Sequence, residues 1–361
     1  MELRYYFIFA GQILVLQLFL WCLNKTIAWL FNLTPSSYKK ISLFTFITGN
    51  IFVILSLLRI SPFDFKFIGR MLSILLFVFF SSFLTACLLK IGRHHSTLNR
   101  LLKIAYPFIF SGFIGLAIYN AYTPRVVSYS VQIDKPLTKP LKIGIASDLH
   151  LGKLVGKQQI DKLVNLFNQQ QVDLILLAGD IMDDTTQGYL ADNLQPNLSK
   201  LKAPLGVYVA LGNHDYFVEP EKIRQELEKA GLTVLEDETV NINDQFYIIG
   251  RKDELVKNRQ TSGQLLANLD QTKPIFLVEH RPSQIEQNSQ LPIDLAAMGH
   301  THKGQIFPAN FITKLVHFMD YGSQKVGNGN YIVTSGFGFW GVPFRLGSQS
   351  EVVVVEVTGK Q

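Results

Sequence analysis

The chain has 361 residues, 48% of them hydrophobic, and a mean hydropathy of +0.19, too apolar for a wholly soluble protein and long enough for two domains. A net charge of +6 invites an anionic partner, but Lys and Arg fall between apolar segments, where membrane topology and lipid headgroups account for them. No basic run interleaved with aromatics points to nucleic acid. The two cysteines, Cys22 and Cys87, lie inside apolar segments as packed or lipid-facing small residues and leave the redox compartment open.

Four apolar segments come first: Tyr5 to Leu23, Ile41 to Leu58, Met71 to Leu89 and Ile104 to Ala121. Each is near the ~20 residues that a helix needs to cross a hydrocarbon core. A soluble bundle would show polar faces, and none of the four does. The first segment lacks a basic start and a small-residue cleavage motif, so it is not read as a removable signal. Residues 1–122 are therefore expected to form a membrane domain of four transmembrane helices. Loops 24–40 and 90–103 carry seven basic residues: Lys25, Lys39, Lys40, Lys90, Arg93, Arg100 and Lys103. The other side carries five: Arg4, Arg59, Lys66, Arg70 and Arg125. That bias places those loops in the cytoplasm, giving a multi-pass inner-membrane protein with its following domain extracytoplasmic.

From Thr123 the charges become regular and the apolar runs shorten. Pro124, Pro136 and Pro140 punctuate a linker over 123–140, with Arg125 to Ile133 a possible edge strand, and a second domain covers 141–361. Its predicted elements alternate. Ile143 to Ala146 is a buried strand, Gln158 to Asn168 a helix, Val172 to Ala178 and Val207 to Ala210 further strands, and Glu219 to Ala230 a helix opened by Pro220 and closed by Gly231. Strands at 233–235, 240–242 and 246–250 suggest a second sheet. A helix at 262–269 precedes strands at 274–278, 295–298, 331–334 and 351–357.

Five of these strands end in polar residues: Asp148-Leu-His150, Gly179-Asp180 with Asp183 three residues on, Gly212-Asn213-His214-Asp215, Glu279-His280, and Gly299-His300-Thr-His302. The carboxyl ends of strands are where open α/β sheets place their ligands. Oxygen and imidazole ligands without cysteine suit Mn, Fe or Zn. Seven candidate ligands (Asp148, His150, Asp180, Asn213, His280, His300 and His302) exceed what one ion takes while leaving a reaction site open. Two divalent ions sharing a carboxylate account for the number. After Asp148, Asp180 and one hydroxide are subtracted, the site keeps positive charge, which favours a phosphoryl substrate and attack by metal-activated hydroxide.

With all five blocks in this order, residues 141–357 resemble the calcineurin-like metallophosphoesterase superfamily. The resemblance implies an α/β fold, a four-layer α/β/β/α sandwich, with a dimetal site at the edge of its sheets. It implies that Asp148, His150, Asp180 and His302 hold one ion, and that Asp180, Asn213, His280 and His300 hold the other. His214 would then be the acid, oriented by Asp183. The activity implied is metal-dependent hydrolysis of a phosphoester or pyrophosphate. Gly304-Gln-Ile-Phe and the run Ser335 to Gly347 look like the family's membrane-associated bacterial branch. That branch usually has Asp where this chain has Glu279, and Gly where it has Lys303. Both are read as solvated loop residues, with Lys303 and Arg281 as candidate contacts to substrate. Ile306 to Met319 is apolar for a loop and is read as a lid, a surface that dips into the bilayer, or a core-packing helix. His317 within it is read as structural. Phe337, Phe339, Trp340 and Phe344 among glycines suggest an aromatic wall. Together with the four spans, they suggest a lipid-linked substrate and membrane lipids as partners. The alternative is a membrane scaffold or sensor that keeps the fold without catalysis.

Overall fold

The computed structural model describes residues 2–58, 60, 65–93 and 95–360; Arg59, counted in the charge bias above, lies outside them. Contacts divide the chain into two units, Met1–Ala117 and Ile118–Gln361.

Four helices begin the chain: α1 (Glu2–Phe31), α2 (Pro35–Leu57), α3 (Phe65–Ile91) and α4 (Ser96–Tyr122). They run past the apolar segments because Lys25, Lys39, Lys40 and Lys90 lie within helical turns. Between α1 and α2 only 32–34 remain outside the helices. There Thr34 caps α2 by accepting from Ser37 N at 3.3 Å, and Pro35 supplies a first residue with its φ already helical. All four are long and apolar enough to cross a membrane. Large side chains such as Leu14, Phe44 and Phe108 face outward, while polar groups pair between helices. Gln17 Nε2 donates to Asn50 Oδ1 at 3.0 Å, Thr45 Oγ1 to Asn24 Oδ1 at 2.9 Å, and Trp29 Nε1 to Asn99 Oδ1 at 2.8 Å.

The second unit continues with β1 (Arg125–Gln132), β2 (Leu141–Ala146), α5 (Lys157–Gln170), β3 (Leu174–Ala178), the short α6 (Gln187–Ala191) and α7 (Gln195–Leu198), and β4 (Val207–Ala210). Next come the single turn α8 (Asn213–Tyr216), α9 (Pro220–Lys229), β5 (Thr233–Val234), β6 (Glu238–Ile242), β7 (Phe246–Gly250), α10 (Ser262–Leu266), β8 (Ile275–Val278) and α11 (Ile285–Asn288). The remaining elements are β9 (Leu295–Met298), α12 (Ala309–Val316), β10 (Gly322–Val326), β11 (Gly329–Val333) and β12 (Glu351–Thr358). Part of the expected linker is thus a strand, β1.

The strands form two six-stranded sheets, in the orders β1-β12-β2-β3-β4-β5 and β10-β11-β9-β8-β7-β6. β2, β3 and β4 run parallel, as do β7, β8, β9 and β11. β3, β8 and β9 are buried along their whole length, as expected of parallel strands covered on both faces. Ile143, Ile145 and Leu176 of one sheet meet Phe276, Val278 and Leu295 of the other. The outer face of the first sheet packs on α5 and α9 through Ile160, Leu163, Phe167, Ile223 and Leu227. The outer face of the second packs on α10 and α11 through Leu266 and Ile285. The result is the expected α/β/β/α arrangement. It brings the carboxyl ends of β2, β3, β4, β8 and β9 to one edge.

Candidate metal centre

Three of the five loops that bear candidate ligands, those after β2, β3 and β9, leave their strands through strained backbone. Asp148, His150, Asp180, His300 and His302 all have φ between 47° and 72°, the left-handed region that non-glycine residues seldom adopt. Each such residue costs on the order of 1 kcal/mol and persists only where its surroundings over-determine it. Here backbone bonds lock the loops together. Asp148 N donates to Gly179 O at 2.8 Å, His150 N to Asp180 O at 3.0 Å, and His300 N to Asp148 Oδ2 at 3.1 Å. Gly212 admits the close approach of β3 and β4, since a Cβ there would overlap the Asp180 carboxylate.

The seven expected ligands converge except that Asn213 enters through its neighbours in α8. Ligand atoms of Asp148, His150 and His302 lie within 4.8 Å of one another, as do those of Asp180, His280 and His300. Asp180 Oδ2 stands between the groups, 3.1 Å from His280 Nε2 and 3.9 Å from His150 Nε2. His302 Nε2 lies 3.2 Å from both Asp148 Oδ1 and His150 Nε2. His280 Nδ1 donates to Ala178 O at 2.8 Å, which leaves Nε2, 3.1 Å from Asp180 Oδ2, as the nitrogen that would face an ion. Among the described residues Asn213 Oδ1 is buried with no hydrogen-bond partner, an acceptor oxygen suited to a cation. These observations fit divalent cations: nitrogen and oxygen ligand atoms crowd together at close range.

Electrostatics agree. Burial pushes His150 down to about 4 and His300 down to about 2, and burial together with the Arg345 guanidinium holds His302 well below its ordinary value. These imidazoles are neutral at neutral pH, as ligands must be. Burial opposes charge on His280 as well, but Asp180 overrides it and lifts the ring to about 10. Burial raises Asp148 to about 6 against the pull of His280.

His214 sits beside the ligands, its ring centroid 4.9 Å from that of His150. Its orienting partner differs from the sequence expectation. Nδ1 meets Asp184 Oδ1 at 2.5 Å, and Asp183 stands with His150 and His214 in one group of close ligand atoms. Asp184 has φ 68°, and this left-handed residue delivers its carboxylate where regular spacing would deliver the one before it. Burial lowers the His214 ring, but Asp184, Asp180 and Asp183 together raise it above the ordinary histidine value.

Of the two departures from the bacterial branch, Glu279 is not a solvated loop residue, and Lys303 is half-buried. Glu279 is 2% exposed and accepts from Arg251 Nη1 at 2.8 Å and Asn288 Nδ2 at 2.9 Å; its extra methylene reaches a guanidinium buried under the loop to Gln260. Lys303 Nζ lies 4.0 Å from the centroid of the Tyr321 ring. Arg281, the other expected substrate contact, donates through Nε to Asp253 at 2.8 Å. The aromatic wall is also reduced: Phe337 and Phe339 enter the core, and Trp340 remains exposed, 5.9 Å from His214.

Sequence reasoning missed three further residues. Asp215 accepts from Ile181 N, Met182 N and Gly212 N, tying the β3 and β4 loops together. Ser147 Oγ donates to Asp148. Arg345, fully buried, donates to Gly336 O at 3.2 Å, Gly338 O at 2.6 Å and His302 Nδ1 at 3.2 Å. Asp215 stands inside a recognised motif, so its position was a usable signal. Arg345 lies in a glycine-rich run with no polar companion to mark it.

Residues 141–304 match the calcineurin-like phosphoesterase family model. An uncharacterized metallophosphoesterase of Helicobacter pylori (strain ATCC 700392 / 26695) is 32% identical over 281 residues, which cover 75% of each chain. The chain belongs to the calcineurin-like metallophosphoesterases. An uncharacterized metallophosphoesterase of Aquifex aeolicus is 34% identical over 249 residues, covering 67% of this chain and 94% of that one. A Danio rerio protein named "Transmembrane protein with metallophosphoesterase domain" is 29% identical over 259 residues, covering 66% of this chain and 59% of the relative.

Proposed function

We propose that this protein is a membrane-anchored phosphoesterase that hydrolyses a phosphoester or pyrophosphate of a lipid-linked substrate with two divalent ions, Mn, Fe or Zn. The position of Asp180 Oδ2 between two clusters of candidate ligand atoms carries this reading. Asp148, His150, Asp180 and His302 would hold one ion, and Asp180, Asn213, His280 and His300 the other. Divalent ions there supply positive charge that polarises a phosphoryl group and lowers the pKa of water. His214, held protonated by Asp184, donates its proton to the leaving oxygen. Asp215 and Arg345 keep the loops in register. Phe217 and Trp340, both exposed and with ring centroids 4.8 and 5.9 Å from that of His214, offer apolar surface to a lipid chain.

The test uses detergent-purified full-length protein, stripped of metal and reloaded with Mn, Zn, Co or Mg. Hydrolysis of bis-p-nitrophenyl phosphate with at least one metal, lost in Asp180→Asn, is expected. No bound metal, with wild type and Asp180→Asn equally inactive, would favour a scaffold instead. A panel of lipid-linked phosphates in micelles tests the finer claim. That claim fails if soluble nucleotide diesters are cleaved far faster than every lipid.

A further inference from the structure

α12 is built inside out for a soluble domain. Phe311, Ile312, Leu315 and Val316 are 57, 63, 86 and 71% exposed, and no residue of the helix is buried. At 3.6 residues per turn these four fall within roughly 140° of arc. The opposite side carries Asn310 and Thr313, and it is this polar side that engages the protein. Thr313 Oγ1 donates to Asp320 Oδ2 at 2.8 Å, and Asp320 O accepts from Thr301 Oγ1 of the metal motif at 2.6 Å. Phe307 extends the apolar face by packing on Phe311 at 5.6 Å, and Phe318, also exposed, continues it beyond the helix. The helix ends beside the metal centre: the ring of His317, its C-cap, has its centroid 6.2 Å from that of His300.

The other side of the centre shows the same surface. Phe217 and Val218 are exposed, and Phe217 touches His214. Two loops remote in sequence thus flank one site with outward apolar side chains. Single exposed apolar residues need no explanation, but a contiguous set around a functional opening does.

We infer that α12 and the Phe217–Val218 turn are interfacial elements that seat the opening of the metal centre in the lipid headgroup layer. The occupant is a bilayer rather than a protein for a reason internal to the chain. Four helices long enough to cross a membrane end at Tyr122, and β1 begins at Arg125. A domain on so short a connection meets lipid continuously, whereas a partner would have to diffuse to it. Lys314, on the flank of α12, suits the anionic headgroup region.

The test reads position and needs no turnover, so its outcome is independent of the hydrolase reading. Full-length protein with Cys22→Ala and Cys87→Ala receives one new cysteine, by Leu315→Cys, Val218→Cys or Lys200→Cys, labelled with an environment-sensitive fluorophore. Lys200 is exposed in the connection that precedes β4, at the end of the sheet away from the centre. Each protein is reconstituted in vesicles of phosphatidylcholine with one-third phosphatidylglycerol, with and without spin-labelled acyl chains. Labels at 315 and 218 should be quenched by the spin-labelled lipid at least twofold more than the label at 200. Equal quenching at all three positions would overturn the inference. So would a shielded label at 315 that lipid does not quench, together with disulfide formation between Cys residues at 315 of two copies, because the face would then be a protein interface.

Discussion

His214 Nδ1 meets Asp184 Oδ1 at 2.5 Å, and that contact governs how the imidazole titrates. The carboxylate favours the protonated ring and raises it above the ordinary histidine value despite the burial that opposes charge. An acid works only while protonated, so its activity is present below its pKa and falls as pH rises through it. Asp184→Asn should therefore move the alkaline limb of the kcat/KM profile to lower pH, with Asp183→Asn, whose carboxylate raises the ring through its charge, moving it less. His214→Ala should lower kcat by about 10²- to 10⁴-fold. A pH–rate series on the three variants checks both statements, and an alkaline limb unmoved in Asp184→Asn would remove Asp184 from the role. Arg345 shows the complementary case of a charge that never meets solvent. A buried guanidinium is costly unless its donors are taken up. Here Gly336 O and Gly338 O take them, with the charges of Asp148 and Glu351 nearby.

At the scale of elements, the turn between β4 and α8 is where packing is tightest. Gly212 has φ −99° and ψ −179°, extended backbone that any residue can adopt, so glycine is needed there for space and not for conformation. An added Cβ would collide with Asp180, which also receives His214 N at 2.8 Å. Gly212→Ala should destabilise the second unit by about 2 kcal/mol, as overpacking does, and should displace Asp180. Thermal unfolding alongside metal content by elemental analysis measures both; a variant with wild-type melting and full metal occupancy would contradict the claim. Elements with strong patterns were legible in the chain. Wholly apolar runs ending in Asp, Asn or His marked β2, β3, β4, β8 and β9 together with the candidate ligands at their ends. β10 was not legible: Gly322-Ser-Gln-Lys-Val326 is a mostly polar edge strand with no alternation to read. α12 was legible as apolar, but apolarity does not tell which side faces the fold. The choice of Asp184 over Asp183 depends on one left-handed dihedral, which spacing does not encode.

For the molecule as a whole, the crowded ligand atoms predict that divalent cations stabilise the second unit. His302 Nε2 lies 3.2 Å from His150 Nε2, and His300 Nδ1 lies 3.2 Å from His280 Nε2, contacts that protons alone satisfy poorly. Chelation should lower the melting temperature of this unit and Mn or Zn should restore it. An ion at a hundred times its dissociation constant adds about 2.7 kcal/mol. Calorimetry before and after dialysis against EDTA reads the shift, and identical melts would count against bound metal. Sheet order carries a further consequence, for the time course of synthesis. β12 lies between β1 and β2, pairing parallel with one and antiparallel with the other. Of the strands in its sheet it leaves the ribosome last. Until then β1 has no neighbour, and the strand after Tyr122 waits unpaired while α1 to α4 are already free to enter a bilayer. Membrane insertion can therefore precede closure of the sheet, so a nascent chain that inserts would be held there before Asp148 and His150 have the covering loop that Arg345 holds over them.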